Sequence, residues 1–423
     1  MAASNIKVGA IITYLTQFLS IGISFFYVPI MLGILGQDEY GLYALVQSLV
    51  SYLQMSEMGI GITATRYNAK YIAQQDFDGQ QRINGMFFIL YFGIATVCVI
   101  LGGILYYYIP DIYRHYSADN VSLMRNLFLL ALANLVITLM FKLFNAVIIA
   151  YERFIFIKTL SLIQTILGPA GMLLVLYMGK RSIGMLVVTT ALSLFIGLVQ
   201  MVYCFKVLHV RLKFKHFEKA LFGTIMSFTI FVFLNSLGHQ LFANSDKIII
   251  SIIMSESAVA IYAIVLQFHM YFYMFSNVIS GFYLPRFTKM VSETKTVSEP
   301  LMDEVVRTAR IQVLIAGLIF GGFIAIGRPF IIRWVGTEYE SAYILSVIVL
   351  CAEYIGSSQS MFNALMQAMN LHKVRSIIGL GCALLKVITT VFAVKWWGLT
   401  GAAIMYIVMF MFRLFVYNLY LHF

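Results

Sequence analysis

The sequence predicts an all-α polytopic membrane protein with about twelve transmembrane helices in two parallel six-helix bundles. Three observations lead to this prediction. Residues of the AVILMFWYC class make up 61% of the 423 residues and only 11% are charged, whereas soluble domains contain about 25% charged residues. Uncharged stretches of about 20 residues or more, long enough to cross a bilayer, recur along the chain. The two halves of the chain also resemble each other.

The uncharged stretches place the predicted crossings in order along the chain. The first six cover about residues 8–35, 40–64, 83–109, 123–150, 155–178 and 182–205. The last six cover about residues 221–253, 257–284, 308–330, 341–369, 374–394 and 397–421. They predict an N-terminal bundle at 1–207, a basic cytoplasmic linker at 208–220 and a C-terminal bundle at 221–423.

Lysine and arginine residues assign the two sides of the membrane. Eighteen of them fall before the first crossing and in every second loop, and seven fall in the opposite loops. By the positive-inside rule, the sequence predicts that both the N- and the C-terminus are cytoplasmic. This topology accounts for most of the formal net charge of +11. The basic run at 211–219 is therefore interpreted as a linker close to lipid headgroups, and no nucleic-acid partner is expected.

An internal repeat relates the two predicted bundles. Three short segments recur after 218 to 220 residues: Tyr43-Ala44 as Tyr262-Ala263, Arg66 as Arg286, and Phe144-Asn145-Ala146 as Phe362-Asn363-Ala364. Because six crossings per repeat is an even number, both repeats enter the membrane from the same side and the repeat is parallel. Paired bundles of this kind enclose a central cavity that opens alternately to either side, which predicts a transporter.

Enzyme signatures are absent from the sequence. It contains no GxxxxGK[ST], GxSxG or HExxH motif, each of which carries a specific chemistry. The longest predicted outer loop covers only about residues 110–122, which argues against a membrane-embedded polymerase or acyltransferase. The sequence therefore predicts that the protein is not an enzyme, and that it needs no cofactor apart from H⁺ or Na⁺ as a coupling ion.

Cationic side chains within the predicted crossings are the first candidates for function, because charge at membrane depth is costly. Lys142, Lys386, Arg413 and Lys247 are predicted to bind an anionic headgroup such as a pyrophosphate. Cations outnumber unpaired acids in the crossings, which favours an anionic passenger over a drug cation. Two alternatives stay open. Lys386 could pair with Glu353 only for assembly, and Lys142 and Arg413 could extend their side chains to the membrane interface.

Carboxylates within the crossings are predicted to bind the coupling ion. The candidates are Glu57, Asp246 and Glu353. Alternatives stay open here too, because Glu57 could instead cap a helix break and the adjacent Lys247 could keep Asp246 ionised. The repeat aligns Asp246 with the interior of the first crossing, which places it within a helix. His269 is interpreted as a hydrogen-bonded core residue rather than a proton carrier.

Several segments resemble one known family. They are residues 27–43 with the run GQDEYGLY, residues 57–61 followed by Arg66, residues 244–247 followed by Ala260-Ile261-Tyr262, and Pro285-Arg286. They resemble bacterial polysaccharide transporters, the Wzx-type lipid-linked oligosaccharide flippases of the MOP (MATE-like) superfamily. In this resemblance, Arg66 and Arg286 mark the cytoplasmic ends of the second and eighth helices, as gate residues.

The resemblance implies a function in surface polysaccharide biosynthesis. An alternating-access flippase of this family would move an undecaprenyl-pyrophosphate-linked oligosaccharide repeat unit across the bacterial cytoplasmic membrane. Its implied partners are that polyprenyl-linked glycan, membrane lipids and the polysaccharide polymerase machinery. A MATE-type ion-coupled exporter of drugs or metabolites, with the same fold, is the alternative.

Overall fold

The computed structural model describes residues 2–57, 59–214, 219–294, 299–369 and 372–422. Within these ranges, all regular secondary structure is helical. The α-helices are α1 (Ala2–Gln54), α2 (Ile60–Ala73), α3 (Phe77–Ile112), α4 (Ala118–Ala150), α5 (Phe154–Tyr177), α6 (Arg181–Lys206), α7 (Lys219–Ile253), α8 (Glu256–Thr294), α9 (Glu299–Val335), α10 (Ala342–Ser357), α11 (Ser360–Ala368) and α12 (His372–His422). Short 3₁₀ helices follow α1 at Met55–Glu57 and α9 at Thr337–Tyr339.

The two longest helices are each interrupted by a glycine with positive φ. Helix α1 runs for 53 residues and breaks at Gly36 (φ 76°, ψ 174°), and α12 runs for 51 residues and breaks at Gly398 (φ 57°, ψ −139°). An unbroken helix of that length would extend about 80 Å, far beyond the ~30 Å hydrocarbon core. Glycine adopts positive φ at little cost. Each break falls where the sequence predicts the end of one crossing and the start of the next.

The number of apolar helices confirms a multi-spanning membrane protein. Among the described residues, eight helices are long and apolar enough to cross a membrane, or nine if the bent pair α10–α11 is one span. This count treats the helices on both sides of Gly36, and those on both sides of Gly398, as single elements. The all-α polytopic class is therefore confirmed. Twelve crossings and cytoplasmic termini remain predictions.

The chain divides into two compact units at residues 1–236 and 237–423. In the first, α4 packs against α6, α3, α1 and α2, around buried residues that include Phe87, Tyr91 and Phe144. In the second, α8 packs against α10, α11 and α9, and α10 packs against α12. The predicted linker at 208–220 includes residues 215–218, which lie outside the described part of the chain.

Two of the breaks between helices follow the internal repeat. Gly179, between α5 and α6, has φ 76° and lies 219 positions before Gly398. Gly36 lies the same distance before Ser255, where the chain passes from α7 to α8. This is also the spacing of Tyr43 and Tyr262. The repeat that was predicted from side-chain identities therefore extends to the backbone.

After α6, the chain turns back and attaches to the start of α3. The Lys213 amide donates a hydrogen bond to the carbonyl of Gln81 (3.0 Å), and the Lys213 ammonium pairs with Asp78. A Cβ atom added to Gly85 would lie 2.0 Å from the Lys213 carbonyl oxygen. The absence of a side chain at Gly85 is therefore what permits this attachment.

The break in α1 is fixed by a nearly buried carboxylate. Glu39 accepts hydrogen bonds from Arg181 Nε (2.5 Å), the Ser182 amide (2.9 Å) and Ser182 Oγ (2.5 Å). Arg181 also donates to the carbonyl of Leu35 (2.7 Å), just before the break. These contacts join the turn at Gly36 to the start of α6, where amide donors favour a negative charge. They explain the second of the two acidic residues in the sequence run GQDEYGLY, which is Glu39.

We expect Glu39→Ala to lower the free energy of unfolding by about 1–3 kcal/mol, because it leaves the buried Ser182 amide and hydroxyl without their acceptor. Glu39→Gln should have a smaller effect, since an amide oxygen still accepts hydrogen bonds. Thermal unfolding of the purified protein in detergent measures both changes. Asp303→Ala, at an exposed acid of α9, is the control. Equal stability of Glu39→Ala and wild type would contradict the prediction.

Candidate functional site

A fully buried ion pair lies at the centre of the second unit. Lys386 of α12 and Asp246 of α7 have no exposed surface, and Nζ lies 2.8 Å from Oδ2. The ammonium also donates to the carbonyl of Phe242 (2.6 Å), and the Tyr262 hydroxyl donates to Asp246 Oδ2 (2.8 Å). The two charges therefore neutralise each other within the protein.

A second polar group connects α8, α10 and α12. Glu353 Oε1 lies 2.9 Å from His269 Nε2 and 3.0 Å from the Tyr406 hydroxyl. The Tyr406 hydroxyl is also 2.8 Å from His269 Nε2. These three atoms thus form a closed triangle of hydrogen-bonding distances.

Aromatic rings connect the ion pair to this triangle. The Lys386 ammonium lies 4.8 Å from the ring centroids of both Phe242 and Tyr406. The Arg413 guanidinium lies 4.2 Å from the Phe242 ring centroid. Cations over ring faces are attracted by the ring quadrupole. We call this set the ion–aromatic cluster: Phe242, Asp246, Tyr262, His269, Glu353, Lys386, Tyr406 and Arg413.

The pairing within the cluster differs from the one considered in the sequence analysis. Lys386 contacts Asp246 rather than Glu353, and Glu353 contacts His269 instead. Asp246 lies inside the continuous helix α7, as the repeat predicts. Lys247 follows it in the same helix and is half-buried. His269 is hydrogen-bonded on its Nε2 side.

The first unit contains a more accessible ion pair. Lys142 of α4 lies 3.2 Å from Glu57, and their side chains are 35% and 19% exposed. Glu57 ends the 3₁₀ helix two positions before Gly59, which has φ 70° and directly precedes α2. A Cβ atom at Gly61 would lie 2.9 Å from Glu57 Oε1. Glu57 therefore lies at a helix break and reaches Lys142 across it.

The two predicted gate residues are exposed. Arg66 lies on α2, and Arg286 of α8 pairs with Glu304 of α9 at 2.9 Å. They belong to different units. Among the described residues, no group of three or more His, Cys, Asp or Glu side chains is placed to hold a metal ion.

Tyr262, Tyr406 and Phe242 are the residues of the cluster that the sequence analysis did not select for function. The chain contains 26 tyrosines and 35 phenylalanines, and aromatic residues are frequent at membrane interfaces. Composition therefore does not separate these three from the rest. Only Tyr262 had a signal, through its repeat partner Tyr43.

Comparisons with known proteins identify the family and the fold. A family model described as "Polysaccharide biosynthesis protein" matches residues 6–291. A search of curated protein sequences gives no match. Solved structures do match, at identities that show the fold alone.

Three of these structures represent transporters. An inward-facing multidrug resistance MATE family transporter of the MOP superfamily has a TM-score of 0.72 and 14% identity, covering 96% of this chain and 93% of that one. The lipid II flippase MurJ, in an inward closed conformation, has a TM-score of 0.72 and 11% identity, covering 97% and 87%. A MOP superfamily transporter from Pyrococcus furiosus has a TM-score of 0.52 and 12% identity, covering 97% and 93%.

The family match covers more than half of the chain, and the structural matches cover nearly all of it. The resemblance to Wzx-type transporters noted in the sequence is thereby confirmed. The chain belongs to the polysaccharide biosynthesis protein family, and it is a multi-pass membrane transporter with the fold of the MOP superfamily.

Proposed function

We propose that the protein is a flippase that moves a polyprenyl-pyrophosphate-linked oligosaccharide across the bacterial cytoplasmic membrane by alternating access. The observation that carries this proposal is the family match over residues 6–291. The fold, shared with a lipid II flippase, supports it. A drug exporter is not favoured, because the MATE likeness concerns the fold, whereas the matching family is described by polysaccharide biosynthesis.

The cationic side chains supply the chemistry that a pyrophosphate needs, namely positive charge and several hydrogen-bond donors. Lys142 is partly exposed and uses one contact for Glu57, and an ammonium has three donor hydrogens. Arg413 Nε is buried without a hydrogen-bond partner within the described contacts. Both residues therefore have donor capacity left for a headgroup.

The other two residues that were predicted to bind the headgroup are Lys386 and Lys247. Lys386 is fully buried and bonded to Asp246 and Phe242, so it reaches a headgroup only if this pair opens. Lys247 is half-buried, and its role stays a prediction. The gate function of Arg66 and Arg286 also stays a prediction.

Transport is proposed to be coupled to an H⁺ or Na⁺ gradient. No nucleotide-binding motif occurs in the sequence, so the energy has to come from a gradient, from a partner or from consumption of the flipped glycan by the polymerase machinery. Glu57, Asp246 and Glu353 remain the carboxylate candidates. Each has a cationic or imidazole partner, so ion binding requires a change in that pairing.

We expect Lys142→Ala and Arg413→Ala to slow flipping by about tenfold or more, since a hydrogen bond to a charged group contributes about 1.5–3 kcal/mol. The assay uses proteoliposomes and a fluorescent undecaprenyl-pyrophosphate-linked oligosaccharide, with accessibility from outside as the readout. Lys180→Ala and Lys395→Ala, at exposed positions, are matched controls and should flip at the wild-type rate.

Two results would count against these proposals. Wild-type protein that leaves the lipid-linked saccharide in its original leaflet, while exporting organic cations, would replace the flippase by a drug exporter. Full activity of both Lys142→Ala and Arg413→Ala would leave the flippase in place and remove these residues from its headgroup site.

A further inference from the structure

The triangle formed by His269, Glu353 and Tyr406 fixes the tautomer of the imidazole. All three sides, at 2.9, 3.0 and 2.8 Å, are hydrogen-bonding distances. A carboxylate only accepts, and a tyrosine hydroxyl donates one hydrogen. If Nε2 carried no hydrogen, two lone pairs would face each other between Nε2 and Oε1. The Nε2 atom therefore carries the hydrogen, and Nδ1 of the neutral ring has the free lone pair.

Titratable groups on three helices contact this ring: Tyr273 on α8, Glu353 on α10 and Tyr406 on α12. Further charged groups lie beyond them and interact with Tyr406 or Glu353, namely Lys386, Arg413 and Asp246. On the side of α9, the neighbouring Phe268 packs against Phe323, Phe330 and Trp334.

The charged groups near His269 largely compensate one another, and the imidazole ring is the remaining group that titrates near neutral pH. Asp246 and Lys386 neutralise each other. Glu353 is written as the carboxylate, the ordinary form of this side chain at neutral pH. The imidazole is then the group whose charge is able to change. Its side chain is 17% exposed, so the ring is not sealed from its surroundings.

We propose that His269, Glu353 and Tyr406 form a binding site for one proton, which binds at Nδ1 of His269. A proton from water adds to the Nδ1 lone pair and converts the neutral ring to imidazolium. The Nε2–H hydrogen bond to Glu353 persists and becomes an ion pair, and the cluster gains one positive charge. As the coupling site of transport, this assignment rests on the proposed flippase function, whereas proton binding itself does not.

The proton site lies next to the bend between α10 and α11. Glu353 lies one helical turn before Ser357, the end of α10, where the axis turns by 52° into α11. Protonation of the ring turns its hydrogen bond with the carboxylate into an ion pair, which adds Coulomb attraction between opposite charges. Proton binding at His269 therefore strengthens the attachment of α8 to α10 next to this bend, and proton release weakens it.

Proton binding is tested directly by ¹⁵N NMR of histidine-labelled protein in lipid nanodiscs, without any substrate. We expect one imidazole signal, lost in His269→Asn, to show the Nε2–H tautomer at high pH and imidazolium at low pH. Tyr406→Phe and Glu353→Gln should shift the pH of this change, and His115→Asn, in the first unit, should not. A dominant Nδ1–H tautomer, or no titration between pH ~5 and ~8 where histidine normally changes charge, would overturn the proposal.

The coupling role is tested in proteoliposomes with the same lipid-linked saccharide. A gradient of one pH unit supports up to about tenfold accumulation per coupled proton. We expect wild type and His115→Asn to respond to the gradient, and the ratio of flipping with and without it to fall to about one in His269→Asn. A retained response in a folded His269→Asn protein would overturn the coupling role. If wild type does not flip the saccharide, the flippase proposal fails, and the NMR titration still decides the proton site.

Discussion

Replacing Lys386 with methionine is expected to lower the free energy of unfolding by about 3–5 kcal/mol and to abolish transport. Removal of one partner leaves the other charge buried and unpaired. Asp246 has no exposed surface, and its Oδ1 already lacks a hydrogen-bond partner within the described contacts. The Lys386→Met protein would therefore retain only the Tyr262 hydroxyl as a donor to this carboxylate. Thermal unfolding in detergent and the flipping assay measure the two effects.

A double-mutant cycle separates the lost ion pair from lost packing. The double variant Asp246→Leu/Lys386→Met removes both charges, and apolar replacements of a buried ion pair are often nearly neutral. We therefore expect it to be more stable than Lys386→Met alone. Lys395→Met, at an exposed lysine of the same helix, is the matched control. Additive effects of the two single changes would show that the pair contributes no interaction energy.

Gly85→Val is expected to detach the segment after α6 from α3 and to reduce flipping strongly. The first atom of the new side chain would lie 2.0 Å from the Lys213 carbonyl oxygen, a distance that requires the backbone to move. Overpacking of this kind costs about 1–3 kcal/mol or more. The hydrogen bond from the Lys213 amide to Gln81 and the ion pair with Asp78 would be lost with it.

Limited proteolysis near Lys213 measures the detachment, together with the flipping assay. Gly93→Val is the matched control, because Gly93 lies in the same helix and an added Cβ would meet nothing within 4 Å. It carries the same change in helix propensity without the collision. Equal cleavage rates and equal activity of the two variants would contradict the prediction.

Much of the fold follows from the cost of placing charge in a bilayer. The gap predicted between the first two crossings contains Asp38 and Glu39 next to Gly36, and the gap before the last crossing contains Lys395 close to Gly398. Charged residues mark these turns in the sequence because they are expensive in lipid. The conformation of each break depends on a glycine with positive φ, which a hydropathy profile does not reveal.

The sequence was sufficient to select the individual charged residues of the candidate site, but not to predict which of them pair with each other. Lys386, Asp246 and Glu353 stand out in the sequence because each is an ionisable group in an apolar stretch. Lys386 and Asp246 are 140 positions apart, and which of the two acids meets the lysine depends on how the faces of α7, α10 and α12 turn toward each other. Hydropathy and charge counts contain no information on the rotation of each helix about its own axis. Glu353 was therefore considered as the partner of Lys386, whereas the partner is Asp246.

The repeat with a spacing of 219 residues has a consequence for the history of the molecule. Four members of the ion–aromatic cluster have apolar counterparts in the first half at this spacing: His269 corresponds to Val50, Lys386 to Leu167, Tyr406 to Val187 and Arg413 to Leu194. Duplication thus produced two copies of the backbone, and the copies have since diverged in chemistry. The second half carries these four groups, while the first half keeps the matching architecture with apolar residues at their positions. An ion bound through these groups is therefore bound once per chain, despite the twofold repetition of the fold.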